Sequence, residues 1–133
     1  MSKNIAITIQ ELEGLESRTD PQFACARAFI IVESKEKRIV TQFSNKAVAE
    51  PVSTGAGIAD MIMKDEVDIV ISGRYGPAGY DALESSGVEM WLAPEGTTVK
   101  NALDQFNAGT LSKATRGLKN EQSNIINSDY SSN

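Results

Sequence analysis

The chain has 133 residues, 41% of them hydrophobic, and a net charge of -5, totals that suit one compact domain with an ordinary core. The acidic balance counts against a nucleic-acid binder, because phosphate contacts need a concentrated basic surface. Histidine is absent and Cys25 is the single cysteine, which removes the commonest general base, the commonest metal ligand and any internal disulfide.

No apolar run approaches the ~20 residues that would cross a bilayer, and Met1 to Asn4 lead straight into strand-like residues without the apolar region of a secretory signal. A cytoplasmic protein without nucleic-acid or membrane partners, monomeric or weakly dimeric, is expected. Ile5, Ile7 and Ile9 alternate with Ala6 and Thr8, so Asn4 to Ile9 reads as a first strand, central because its off-face residues are small or β-branched. Gln10 to Pro21 is polar and reads as a loop. Apolar residues return from Ala26 to Val32, a charged turn follows, and Arg38 to Phe43 completes an antiparallel hairpin. Asn45 to Thr54 is irregular. Ser53-Thr54-Gly55 opens a helix from about Ala56 to Asp65, with Ile58, Met61 and Ile62 as its buried stripe.

Val67 to Pro77 then reads Val-Asp-Ile-Val-Ile-Ser-Gly-Arg-Tyr-Gly-Pro. Its unbroken β-branched run is the pattern of a strand covered on both faces, and Pro77 suits the first position of a helix. This is strand, glycine loop, helix, with Gly76 expected to take a backbone conformation closed to other residues. The helix from Pro77 ends near Ser86 at Gly87, and Val88 to Leu92 forms a fifth strand. Thr97 or Thr98 caps a last helix whose Val99, Ala102, Leu103 and Phe106 follow helical spacing up to Gly109. The order β-β-β-α-β-α-β-α resembles the ribonuclease H-like arrangement: a three-layer α/β fold with a mixed five-stranded sheet and helices on both faces. Residues 1–112 form this single domain, and the polar residues 113–133 are expected to be a disordered tail.

Such strand-loop-helix junctions lie at the carboxyl edge of the sheet, where open α/β folds hold ligands. Gly73, Gly76 and Gly79 match neither the dinucleotide fingerprint nor a phosphate-binding loop. The helices starting near Ala56, Pro77 and Thr98 would nevertheless bring unpaired N–H groups to one edge, where they could together hold an anion, and Arg74 would add a full charge. Cys25 is the one soft ligand, able to bind copper or the edge of a sulfide cluster, although an isolated cysteine also serves as a small buried hydrophobe. Met61, Met63 and Met90 read as core. The first strand, with no carboxylate from Ile5 to Ile9, counts against a two-metal nuclease, and Asp68 stands at the wrong end of its strand. Ser53, Thr54 and Ser72 have no activating base nearby, so no catalysis is expected.

Four motifs in order carry a family resemblance. Pro21-Gln22-Phe23-Ala24-Cys25-Ala26 precedes the strand Phe29-Ile30-Ile31-Val32-Glu33; Gly55-Ala56-Gly57-Ile58 starts a helix; Val67 to Tyr80 gives strand, glycine, Gly-Pro and aromatic; and Gly96-Thr97-Thr98-Val99 precedes the last helix. The sequence from Ile5 to Leu111 thereby resembles the dinitrogenase iron-molybdenum cofactor biosynthesis family, which includes small cofactor carriers and the C-terminal domain of a nitrogenase cofactor assembly protein. It departs from the family's Pro-His-Phe-Gly-Arg-Ala segment at three positions: Gln22 replaces the histidine, Ala24 the glycine and Cys25 the arginine.

The resemblance implies a non-catalytic carrier for an anionic metal-sulfur species, a molybdenum-containing cluster with iron or copper, or a thiomolybdate, exchanged with assembly or acceptor proteins. The binding residues expected at this edge are Gln22, Cys25, Gly55, Gly57, Gly73, Arg74, Tyr75, Gly76, Gly96 and Thr97, with Cys25, the one soft donor, as the metal ligand. The alternative is a protein-protein interaction module that keeps the fold and binds no cluster.

Overall fold

A computed structural model describes residues 3–23, 26–45 and 55–115. Strand β1 (Asn4–Ile9) is central. It pairs antiparallel with β2 (Ala28–Glu33), which pairs antiparallel with β3 (Arg38–Ser44). On its other side β1 pairs parallel with β4 (Ile69–Ser72), and β4 pairs parallel with β5 (Glu89–Leu92). The hairpin and the parallel continuation both follow the expected pattern. Helices α1 (Gly55–Met63), α2 (Pro77–Ser85) and α3 (Val99–Ala108) complete the α/β fold. No helix among the described residues is long and apolar enough to cross a membrane.

The two faces of the sheet bury separate cores. Ala6, Phe29, Ile31, Val70 and Met90 meet Ile58 and Ile62 of α1 and Leu83 of α2. Ile5, Ile7, Ile9, Ile30 and Ile71 meet Val99, Ala102 and Leu103 of α3. The period-2 alternation of β1 therefore divides its side chains between two helical layers. Burying one such isoleucine is worth about 1.5–3 kcal/mol, against roughly 1–2 kcal/mol for ordering a residue's backbone. Packing on both faces is thus what holds the central strands.

The sheet has six strands where five were expected. The sixth, β6 (Ser112–Lys113), lies antiparallel to β5 with Leu92 opposite Ser112 and Trp91 opposite Lys113. Lys113 and Ala114 therefore belong to the fold rather than to the tail. Ser and Lys carry no strand signal; the strand exists because Leu111 and Ala114 on either side are buried, and the Ala114 N–H donates to the Met90 carbonyl at 2.9 Å. Helix α1 stops at Met63, two residues before the expected end, because the chain turns at Asp65 and Glu66, the latter with a positive φ of 56°.

A chain ending at Leu111 loses this edge pairing. It is expected to melt lower by about 4 °C or more, the shift that ~1 kcal/mol produces in a domain of this size. A melting curve identical to that of the full chain would show that the sixth strand adds nothing.

Candidate functional site

Because β1, β4 and β5 run parallel, their carboxyl ends share one edge, where α2 and α3 begin. The opposite edge receives the end of α1: the Asn4 side-chain amide donates to the Asp65 carbonyl at 3.1 Å. Nine residues of helix rise about 13 Å, which returns the start of α1, Gly55, towards the carboxyl edge.

This edge is not an open row of strand ends. Residues 17–23 cross it from α3 to α2, pinned at each step. The Val99 N–H donates to Ser17 O (2.9 Å), Thr19 N–H to Thr97 O (2.7 Å), the Thr19 hydroxyl to Pro94 O (3.0 Å), Asp20 N–H to Thr8 O (2.8 Å) and Phe23 N–H to Arg74 O (3.0 Å). Beneath the crossing, Thr8 and Ser72 are fully buried with their hydroxyls 2.9 Å apart. Thr8 Oγ1 is also 2.8 Å from the Asp20 carbonyl, which can only accept. The single Thr8 proton therefore goes to Asp20, and Ser72 donates to Thr8. The expected loop from Gln10 to Pro21 gave no hint of this because its contacts are made by backbone. The two hydroxyls, standing in strands otherwise almost wholly apolar, were the available signal.

The structure places the expected site residues unequally. A Cβ on Gly73 would fall 2.7 Å from Pro21 O and 2.8 Å from Pro21 Cα, so this glycine serves the backbone crossing. Gly76 has φ -79° and ψ 167°, ordinary extended backbone, and a Cβ there meets nothing within 4 Å. It needs no special conformation, contrary to expectation. Arg74 is exposed between them. Tyr75 turns inward: its ring stacks on Phe23 at 5.7 Å, and its hydroxyl lies 3.1 Å from Val70 O and 2.9 Å from Trp91 O. Burial of the phenol pushes its pKa far above the ordinary value, and the backbone hydrogen bonds only partly oppose this.

Gln22 is exposed and lines a polar cleft of about 230 Å³ with Gln10, Asp20, Pro21, Arg27 and Glu95. Gly96 takes a left-handed turn, φ 78°, and its carbonyl accepts from Arg18 Nη1 at 3.2 Å. Thr97 contributes its carbonyl to the crossing, while Thr98 is the cap of α3, its hydroxyl accepting from the Asn101 N–H at 3.1 Å. Gly55 and Gly57 stand in the first turn of α1. Cys25 lies outside the described residues.

The expectation that three helix starts act together is narrowed by these bonds. At α3 the Val99 and Asn101 N–H groups already have protein acceptors. At α2, Pro77 has no N–H and no side chain of the N-cap residue, Gly76, caps the helix; Ala78 is exposed in its first turn and Gly79 is buried. The electrostatics add two residues that the sequence did not single out, Arg18 and Arg27. With Arg74 they make three of the five arginines, all exposed on the segments of this edge. Among the described residues the ion pairs are those of Lys37 and Lys100 with Asp104, on α3, and none involves these arginines. Asp20 was likewise missed; its carboxylate accepts from the Gln22 and Arg27 N–H groups.

Gly73→Ala is expected to cost about 1–3 kcal/mol, the range for forcing an extra methyl into packed structure, whereas Gly76→Ala should be close to neutral. Urea unfolding midpoints at unchanged slope measure both, and equal costs would contradict the crossing geometry. Tyr75 gives a pH dependence. An acid whose folded pKa is raised contributes stability that is present below its unfolded value of about 10 and lost as the pH rises above it. Wild type should therefore lose more stability than Tyr75→Phe above about pH 10, and in the native protein one tyrosine should fail to ionise in an absorbance titration at alkaline pH. Parallel stability curves for the two proteins would place the phenol in water.

Comparison with known proteins agrees with this architecture. The apo form of the orange protein from Desulfovibrio gigas superposes with a TM-score of 0.76 at 25% identity, covering 87% of this chain and 96% of that one. An NMR structure from Thermotoga described as a NifB protein of the DUF35 family gives 0.70 at 25% identity, covering 86% and 98%. A crystal structure from Methanocaldococcus jannaschii described as a dinitrogenase gives 0.63 at 17% identity, covering 87% and 98%, and speaks to the fold alone. The comparison with curated proteins gives no significant match. Residues 3–109 match the family described as dinitrogenase iron-molybdenum cofactor, and the chain belongs to that family.

Proposed function

We propose that this protein is a non-catalytic carrier that holds an anionic metal-sulfur species at the carboxyl edge of a ribonuclease H-like sheet and exchanges it with assembly or acceptor proteins. The species is of the iron-molybdenum cofactor or thiomolybdate kind, with molybdenum accompanied by iron or copper. One observation carries this reading. In a chain of net charge -5, three exposed arginines without ion-pair partners among the described residues stand on one edge, beside the uncapped start of α2. Guanidinium groups not engaged by carboxylates are donors for an incoming anion, and their field would favour its approach.

Among the described residues no three His, Cys, Asp or Glu side chains gather as a metal site. The described edge would thus grip a cluster through charge and through its outer sulfur atoms. Cys25, adjacent in sequence, is the proposed metal ligand, and Gln22 offers a neutral amide where the family motif has histidine. Gly55, Gly57, Gly73, Gly76, Gly96 and Thr97 would contribute backbone close to the ligand, and Tyr75 would support the loop from within.

Titration of tetrathiomolybdate into wild type, Gly76→Val and Arg74→Ala tests the reading. The open space at Gly76 lets valine be introduced without a clash while it puts bulk beside the start of α2. Gly76→Val should abolish binding, and Arg74→Ala should weaken it by roughly 1.5–3 kcal/mol, one charge-assisted hydrogen bond. Equal affinity in wild type and Gly76→Val would remove the start of α2 from the site. Protein purified without oxygen that holds no metal and takes up no thiomolybdate would favour the interaction module.

A further inference from the structure

We propose that Asp20 is the positioning residue of this edge: its carboxylate fixes the backbone at Gln22 and Arg27 and so sets where the donors of both residues stand. Asp20 is only 6% exposed, and a carboxylate so withdrawn from water needs partners for its lone pairs. Among the described residues it has two, both backbone. Oδ1 accepts from the Gln22 N–H at 3.1 Å and Oδ2 from the Arg27 N–H at 3.2 Å, so one side chain ties positions two and seven residues downstream to the same point.

That point is itself anchored. The Asp20 N–H donates to Thr8 O and the Asp20 carbonyl accepts from the Thr8 hydroxyl, both at 2.8 Å, at the end of the central strand. The two residues it holds line the polar cleft with Gln10 and Glu95, and Arg27 is the one cation of that lining. Asp20, itself at the wall of the cleft, therefore links the sheet to the mixed polar rim above it.

Its charge makes the role decidable. A negative group that merely stood near an anion site would repel the ligand, and neutralising it would tighten binding. Asn in its place presents one accepting oxygen and an NH₂ that can only donate, so one of the two N–H groups loses its acceptor and the rim loosens. The two effects have opposite signs.

The test compares Asp20→Asn with wild type in the full chain, by amide hydrogen exchange and by tetrathiomolybdate titration. The Gln22 and Arg27 amides, measured relative to the core amides of Ile7 and Ile30, should not both keep their protection. At least one should exchange about tenfold faster or more, the factor expected for one lost charge-assisted hydrogen bond, and thiomolybdate should bind more weakly. Unchanged relative exchange at both amides, or tighter binding, overturns the proposal. The binding arm rests on the anion-carrier reading, whereas the exchange arm does not. If wild type takes up no thiomolybdate, that reading fails and exchange alone decides the role of Asp20. Should Asp20→Asn not fold, wild type decides: two amides held by one carboxylate should show protection factors agreeing within about tenfold, the span of one such bond, and a wider gap overturns the shared anchor.

Discussion

A Cβ on Gly73 would lie 2.7 Å from the Pro21 carbonyl oxygen, closer than such atoms can approach, and the absence of that one carbon lets residues 17–23 lie flat across the strand ends. The crossing brings Thr19 to the turn before α3 and Phe23 to the turn before α2. Phe23 then enters the core between Phe29 and Tyr75, at ring separations of 6.3 Å and 5.7 Å. Two loops and a buried aromatic cluster thus depend on one backbone contact. The hydroxyl pair of Thr8 and Ser72 fills the polar space under the crossing, so the carbonyl of Asp20 is satisfied without water.

The charges are sorted in the same way. Lysines Lys37 and Lys100 converge on Asp104 and tie the turn of the β2–β3 hairpin to α3. Hydrogen bonds, first from Lys37 and then from Lys100, hold the Asp104 carboxyl below the usual carboxylate range. All three are substantially exposed, so solvent screening keeps their contribution small. The arginines of the carboxyl edge have no such carboxylate among the described residues. A planar guanidinium with several donors is suited to grip an anion of several acceptor atoms; Arg18 gives one of these donors to the Gly96 carbonyl, while Arg27 and Arg74 are exposed on the same edge.

The central elements were legible in the sequence because each is dictated by local chemistry. The alternation of Ile5, Ile7 and Ile9, the β-branched run to Ile71, Pro77 at the first position of α2 and the spacing of Val99, Ala102 and Leu103 are patterns that burial enforces residue by residue. Gln22, Arg74 and Gly76 do stand at one edge, because parallel strands followed by helices oblige their connecting loops to share a side.

Composition and periodicity thus determined the layers, the order of the elements up to α3 and the edge on which the loops gather. Tertiary structure alone decided the rest. Ser112–Lys113 became a strand because a neighbouring edge was free and Ala114 could be buried. Tyr75 faced the core because the hydroxyl found carbonyls on β4 and β5. Gly73 rather than Gly76 proved to be the position that cannot carry a side chain, since its neighbour in space is 52 residues earlier in the chain. That contact is made with the backbone of Pro21, which every residue carries alike, so no pattern of side chains could announce it.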